Sequence, residues 1–314
     1  MIVGIALSPS LDVTYVVERL RGIQRPLETV RVAGGKSLNA SRVAASLGAP
    51  AVAAAAVLAG GAGSDVAARA RAHGLDLRVV DGRLPTRTCV SIFERGTSEF
   101  TEIYERAVEL SDDEVEEALD AAEEAMGSSR GWFLLSGGLT ESHARRAVRR
   151  AREAGGRIAL DTHGAALRAG IEGGPDLVKV NRAEAAELLG GSPDAPGDEL
   201  VSGLRDRVSA VSGSALAVVT DGADGAWSSD GDRVLHARVV GPLGGFPVGS
   251  GDSFLGGMAT VLDAGGSASD ALALAMAAGA ANAQIPGAGV LDPVLVRRLA
   301  ARADVGAHRT NAHS

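Results

Sequence analysis

The chain has 314 residues, 46% hydrophobic and 22% charged, enough apolar content to bury a large core in one big domain or two ordinary ones. Its 31 basic and 39 acidic side chains leave a formal charge of -8, which repels polyphosphate backbones and anionic membranes and argues against nucleic acid as a partner. A single cysteine, Cys89, excludes an internal disulfide.

Residues 1–7 are apolar but far too short for a membrane span, lack a basic leader, and meet Ser8-Pro9-Ser10 at once, so they form a first strand closed by a turn. No later stretch is long enough to cross a bilayer, and a soluble cytoplasmic protein is expected. Asp12 follows that turn at the end of the strand, where a parallel sheet opens its ligand crevice. It is either a carboxylate that grips sugar hydroxyls or an ordinary turn residue.

Next comes Ala33-Gly34-Gly35-Lys36-Ser37-Leu38-Asn39, leading into a helical run over 40–47. It has the look of a P-loop, but Val30 stands where the first glycine of that pattern belongs. The alternative is a sugar-binding turn in which Gly34 and Gly35 allow close approach, Asn39 offers a donor and an acceptor, and Lys36 meets an anion. A solvated lysine after a plain turn is the bland reading.

Segments 88–93 and 99–104 flank Glu94-Arg95-Gly96-Thr97 as the arms of a hairpin. With 9–33, the stretch 85–106 breaks the rhythm of the chain and is expected to form a small β lid inserted in a main domain over 1–304. Cys89 lies in an apolar run of this lid and packs inside a strand.

From about residue 130, short β-branched runs at 131–135, 157–160, 177–180 and 216–220 alternate with helical segments at 141–153, 182–189, 199–211, 252–264, 268–284 and 292–303. That alternation builds an α/β fold, a mostly parallel sheet with helices on both faces and right-handed crossovers. Residues 305–314 have no periodicity and are expected to be a frayed tail with solvated histidines.

Three strand ends carry candidate chemistry. Lys179-Val180-Asn181-Arg182-Ala183-Glu184 puts Asn181 and Glu184 one helical turn apart, either to orient Mg²⁺-bound water or as a capping box. Thr220-Asp221-Gly222-Ala223-Asp224-Gly225 is, alone, an ordinary turn. Pro247-Val248-Gly249-Ser250-Gly251-Asp252-Ser253-Phe254 is the strongest signal, a glycine turn opening an apolar helix whose free amides and dipole suit a phosphate. Asp252 in that anion hole is a general base for an attacking hydroxyl or simply a helix cap; spacing leaves both open. No histidines recur at metal-ligand spacing and no Ser/His/Asp set stands out.

Taken in order, these segments resemble the ribokinase/PfkB sugar kinase family, and within it the branch containing 1-phosphofructokinase and tagatose-6-phosphate kinase. Its C-terminal signature D-T-x-G-A-G-D-x-F is matched by 247–254. Its N-terminal G-G-K-G-x-N-x-A-R is matched by Gly34-Gly35-Lys36-Ser37-Leu38-Asn39-Ala40-Ser41-Arg42, with Ser37 in place of a usual glycine. Val180 in place of a usual proline, Gly138 with Thr140, and His163 are further departures from the family pattern.

The resemblance implies a three-layer ribokinase-like fold with ATP and Mg²⁺ as cofactors. It makes Asp252 the base and Gly249, Ser250 and Gly251 the anion hole. Lys179, Asn181 and Glu184 fall on the nucleotide phosphates, Glu184 reaching the metal through water. Thr220, Gly222 and Gly225 fall on the phosphates and ribose, and Gly279 and Asn282 near adenine. Asp12, Gly34, Gly35, Lys36, Asn39 and Arg87 fall on the sugar, with Lys36 and Arg87 as cations for an acceptor that carries its own phosphate. Fructose 1-phosphate is the first expectation, then tagatose 6-phosphate or fructose 6-phosphate. The rivals are a kinase of a neutral sugar or nucleoside, and a non-catalytic sugar-phosphate sensor. A homodimer through the lid is also implied.

Overall fold

The computed structural model describes residues 1–239, 241 and 244–308. Strand β1 (Ile2–Ala6) leads to β2 (Ser10–Val17), β3 (Glu28–Gly34), α1 (Lys36–Ser46), β4 (Val52–Leu58), α2 (Gly60–Ala72), β5 (Asp76–Asp81), β6 (Arg87–Glu94), β7 (Glu99–Tyr104) and α3 (Asp112–Met126). The alternating half follows with β8 (Trp132–Ser136), α4 (Glu141–Glu153), β9 (Arg157–Asp161), α5 (Gly164–Glu172), β10 (Leu177–Asn181), α6 (Arg182–Leu189), α7 (Gly197–Ser212) and β11 (Leu216–Thr220). The chain continues through β12 (Ala226–Ser229), β13 (Val234–Val239), α8 (Ser250–Asp263), α9 (Ala268–Asn282), α10 (Pro293–Ala300) and β14 (Ala303–His308).

Ten of these strands form one sheet in the order β14-β13-β12-β11-β10-β9-β8-β1-β4-β5. It is parallel from β5 to β11 and antiparallel from β11 to β14. Both faces are covered because strand side chains alternate. Val3, Ile5, Phe133 and Leu135 point into the layer of α3, α4, α5 and α7, whereas Ile2, Ala6, Trp132 and Leu134 point into that of α1, α2, α8 and α9. The result is the expected three-layer ribokinase-like arrangement. Because the central strands are parallel, their C-terminal ends share one edge, and the loops carrying Asp161, Asn181 and Thr220 open there.

A second sheet of four strands, β3-β2-β6-β7, accounts for the two stretches that broke the rhythm. β2 pairs parallel with β6, placing Asp12 beside Cys89, and β6 turns antiparallel into β7. Its far end is fastened to the body by three rings: Phe93 and Phe100 lie 4.7 and 5.9 Å from Phe246, which precedes α8.

The expected tail needs correcting. Residues 303–308 form β14, which closes the large sheet by pairing with β13 from Val239↔Ala303 to Val234↔His308. His308, at the end of this strand, is still an exposed histidine: its ring sits edge-on to Trp227 at 5.2 Å, and Nδ1 is 3.6 Å from Asp198. The rest of the expected tail, 309–314, lies outside the described residues, as does Val240 at the end of the strand expected after Val234. Among the described residues no helix is long and apolar enough to cross a membrane.

Candidate active site

The site is built around the start of α8. Gly249 caps that helix at φ 84°, and a Cβ there would fall 2.5 Å from the Gly289 nitrogen, so both backbone sign and space require glycine. Ser250, Gly251 and Asp252 then form the first turn; Ser250 N donates to the Pro247 carbonyl at 3.1 Å, and the positive end of the helix dipole at Gly251 and Asp252 faces the crevice.

Asn282 holds this turn in shape. Its Nδ2 donates to the Val248 carbonyl at 2.8 Å, while Oδ1 accepts from Gly289 N at 2.7 Å and Ser253 Oγ at 3.1 Å. Asn282, which the resemblance puts near adenine, is 0% exposed, and its amide is spent on the protein.

Asp252 is buried in the hole, 7% exposed, and its Oδ2 accepts from Asn39 Nδ2 at 2.8 Å. Burial raises its pKa to about 6, with Lys36 pulling down and Asp161 pushing up. The cap position of the helix belongs to Gly249, and the Asp252 carboxylate is held by the Asn39 amide.

Two lysines flank it through Asp161, a residue the sequence reading did not single out. Asp161 is 1% exposed and accepts from Lys179 Nζ at 2.7 Å, with Lys36 Nζ at 3.7 Å. The charges hold one another: Asp161 raises Lys36, and, against its own burial, Lys179 and Lys36 keep Asp161 below the usual carboxylate range. Lys179 lies directly under the turn, 3.1 Å from where a Cβ on Gly251 would be, so its charge reaches the anion hole from beneath. Ser37 finds a local role as well. Its Oγ donates to the Ser136 carbonyl at 3.1 Å and accepts from Ser136 N at 3.0 Å, stitching α1 to the end of β8.

On the side of the small sheet, Asp12 accepts from Ser10 Oγ at 2.5 Å, and burial raises its pKa. Gly34 makes room for it, since a Cβ would sit 2.0 Å from the Asp12 Cγ. Gly35, at φ 93°, lets the chain pass the Pro9 backbone, which a Cβ would approach to 2.8 Å. Arg87 reaches the same corner with only long donations to the Ser8 and Glu105 carbonyls, both 3.4 Å, and its Nε is buried without a partner.

Asn39 joins the two carboxylates rather than standing open to a ligand: it is 3% exposed, donates to Asp252, and its side chain also faces Asp12. Arg42, which closes the N-terminal signature but was given no role there, backs this amide. It is 1% exposed, and burial draws its pKa down to about 10 against the pull of Asp12 and Asp252.

Beyond the turn opens a cleft of about 370 Å³ whose walls include Thr220, Gly222, Gly225, Ser250, Gly251 and Gly279. Phe254, Met276 and Leu299 make it largely apolar, as suits a flat heteroaromatic ring. Asn181 and Glu184 stand at the neighbouring strand end in a complete capping box. Asn181 Oδ1 accepts from Glu184 N at 2.9 Å, and Glu184 Oε2 accepts from Asn181 N at 2.8 Å.

A buried carboxylate at a helix N-terminus, between an acid-and-arginine corner and an apolar cleft, fits a phosphoryl-transferring enzyme on a three-layer α/β scaffold. The chain belongs to the pfkB family of carbohydrate kinases, the family match running over residues 1–294. Solved structures share the fold at low identity. The tetrameric inhibited form of phosphofructokinase-2 from Escherichia coli superposes with TM-score 0.84 and 22% identity, over 96% of this chain and 98% of that one. A protein described as a possible 1-phosphofructokinase from Thermotoga maritima gives 0.82 and 19%, over 98% and 100%.

Proposed function

We propose that this kinase transfers the γ-phosphoryl group of ATP to a hydroxyl of a hexose monophosphate, with fructose 1-phosphate the first candidate and tagatose 6-phosphate and fructose 6-phosphate the next. The observation that carries the phosphorylated acceptor is Arg87, a half-buried guanidinium whose Nε has no partner and whose other contacts are long. A half-buried guanidinium with such long contacts has donors left for an anionic ligand, which a neutral sugar or nucleoside would not supply. Lys36, beside Asp252, adds a second cation.

In this reading Asp12 and Asp252 orient the sugar, Asp252 takes the hydroxyl proton as the oxygen attacks in line, and the 249–251 amides with Lys36 and Lys179 hold the growing charge. The base argues against a sensor, because binding alone needs none. The apolar cleft takes the adenine, and Thr220, Gly222 and Gly225 face the phosphates and ribose.

The donor set fits Mg²⁺ carried in with the nucleotide. Among the described residues no three His, Cys, Asp or Glu side chains cluster as a metal cage, and Glu184 spends only Oε2 on its cap. Mg²⁺ takes few protein carboxylates and many phosphate and water oxygens, and bound there it would neutralise phosphate charge. Glu184, through water, and Asn181 are the residues to hold it.

The small sheet acts as a lid that excludes water. It exposes Ile23 at 95%, Leu27 at 54% and Ile103 at 60%, apolar surface suited to a second copy, so we expect a homodimer by sedimentation velocity. The cytoplasm, where ATP is made, is the place for this reaction.

The test is Mg²⁺-dependent ADP release over a panel of phosphorylated and neutral hexoses and nucleosides, for the native chain and Asp252→Asn. Turnover confined to hexose phosphates and lost in the variant supports the reading. Turnover of neutral sugars alone removes the phosphate role of Arg87, and no turnover at all returns the sensor.

A further inference from the structure

Every guanidinium nitrogen of Arg42 donates inside the protein. Nε donates to the Ala33 carbonyl at 2.9 Å, Nη1 to Gly289 O at 3.2 Å, and Nη2 to Ala288 O and to Asn39 Oδ1, each at 2.7 Å. It thereby joins the end of β3, the loop after α9 and its own helix α1 directly behind the catalytic carboxylate.

The chemistry of that contact is one-sided. A guanidinium carries donors and no acceptor, so the Asn39 atom facing it must be the oxygen. The amide nitrogen is then turned the other way, to Asp252 Oδ2 at 2.8 Å. A flipped amide would set NH₂ against guanidinium and carbonyl oxygen against carboxylate oxygen, two repulsive contacts in a buried site.

We propose that Arg42 is a positioning residue that fixes the polarity of the Asn39 amide, so that Asp252 Oδ2 is always hydrogen-bonded and Oδ1 is the oxygen that receives the acceptor proton. The proposal rests on Asp252 being the base. Arg42 touches neither acceptor nor nucleotide in this scheme; it acts through Asn39. The other charged groups that face Asp252 are Lys36 on α1, Asp161 at the end of β9 and Lys179 on β10. All three stay in place when Arg42 is changed, so a change in Asp252 traces to the amide and the guanidinium.

The direct measurement is a ¹³C carboxyl titration of Asp252 in the full chain, its signal assigned by loss in Asp252→Asn. In the wild type it titrates near 6. In Arg42→Lys a single ammonium cannot span the four acceptors, the amide is free to turn, and loss of a charge-assisted hydrogen bond moves the titration up by about one unit. The acid limb of kcat/KM, measured with the best hexose phosphate, moves with it: activity falls roughly fivefold at pH 6, approaching tenfold below about pH 5, and by far less above pH 8. Asn39→Asp keeps a partner for Arg42 while removing the donor to Asp252, and shifts the titration in the same direction even if Arg42→Lys does not fold.

A folded Arg42→Lys chain whose Asp252 titrates as in the wild type, with activity lowered by one factor at every pH, overturns the proposal and leaves Arg42 a packing residue. An Asn39→Asp chain with an unshifted titration overturns it equally. Asp252→Asn with wild-type turnover instead removes the base reading, and this proposal with it.

Discussion

Replacing Asp252 by Asn should make the protein inactive and more stable, and the gain should depend on pH in a defined direction. Burial lifts the carboxyl from 3.8 to about 6 despite the attraction of Lys36, so the folded state binds the proton more tightly than the unfolded chain. The stability this group contributes is full below pH 3.8 and is lost as pH rises through 6. At roughly 1.4 kcal/mol per pK unit, the ionised carboxylate costs the fold about 3 kcal/mol at pH 7 and above. Asparagine has nearly the same shape, carries no charge, and its Oδ1 still accepts from Asn39.

Thermal melts of both chains from pH 4.5 to 8.5 check this. The variant should melt higher by about 5 °C at pH 8, and the gap should close on acidification toward pH 4.5. Turnover should fall by at least two to four orders of magnitude. A wild type that is the more stable chain at pH 8, or a gap that ignores pH, would refute the argument that function holds a strained charge in this hole.

Arg87→Ala should raise KM for a hexose phosphate roughly thirtyfold, the worth of one charge-assisted contact, and leave KM for ATP alone; equal effects on both would show general damage. Gly34→Ala drives a methyl to within 2.0–2.2 Å of the Asp12 carboxyl atoms, so acceptor KM should rise at least tenfold while ATP binding, read by calorimetry, stays put. Arg150 donates to Glu116, Asp120 and Glu123 at 2.6–2.8 Å and clamps α3 to α4 far from the crevice. Arg150→Ala should cost about 1–2 kcal/mol in chemical denaturation with kcat unchanged.

Those outcomes divide along the line between what local sequence encodes and what only packing decides. The turn that opens α8 was legible because its code is local: Gly249 supplies the positive φ of the cap, and Gly251 and Asp252 follow within the same turn. Asp161 was not, since its partner Lys179 is 18 residues away, and Arg42 was not, since its acceptors at Ala288 and Gly289 lie 246 and 247 residues on. Asn282 was set near adenine by resemblance, and only the turn it grips, 34 residues earlier at Val248, shows its structural use.

The missed elements follow the same logic. β4 reads Val-Ala-Ala-Ala-Ala-Val-Leu, a helix-forming composition held as a strand because all seven residues are buried between two helix layers that need small side chains. β14 has almost no apolar run of its own and exists through its pairing with β13. Helix α3, by contrast, carried a signal that could have been used: Ser111 and Glu114 form a reciprocal capping box ahead of an acidic first turn. Asn181 and Glu184 show why such a signal does not exclude chemistry. The cap consumes Asn181 Oδ1 and Glu184 Oε2, and leaves Glu184 Oε1 and the Asn181 NH₂ group for a nucleotide at the same strand end.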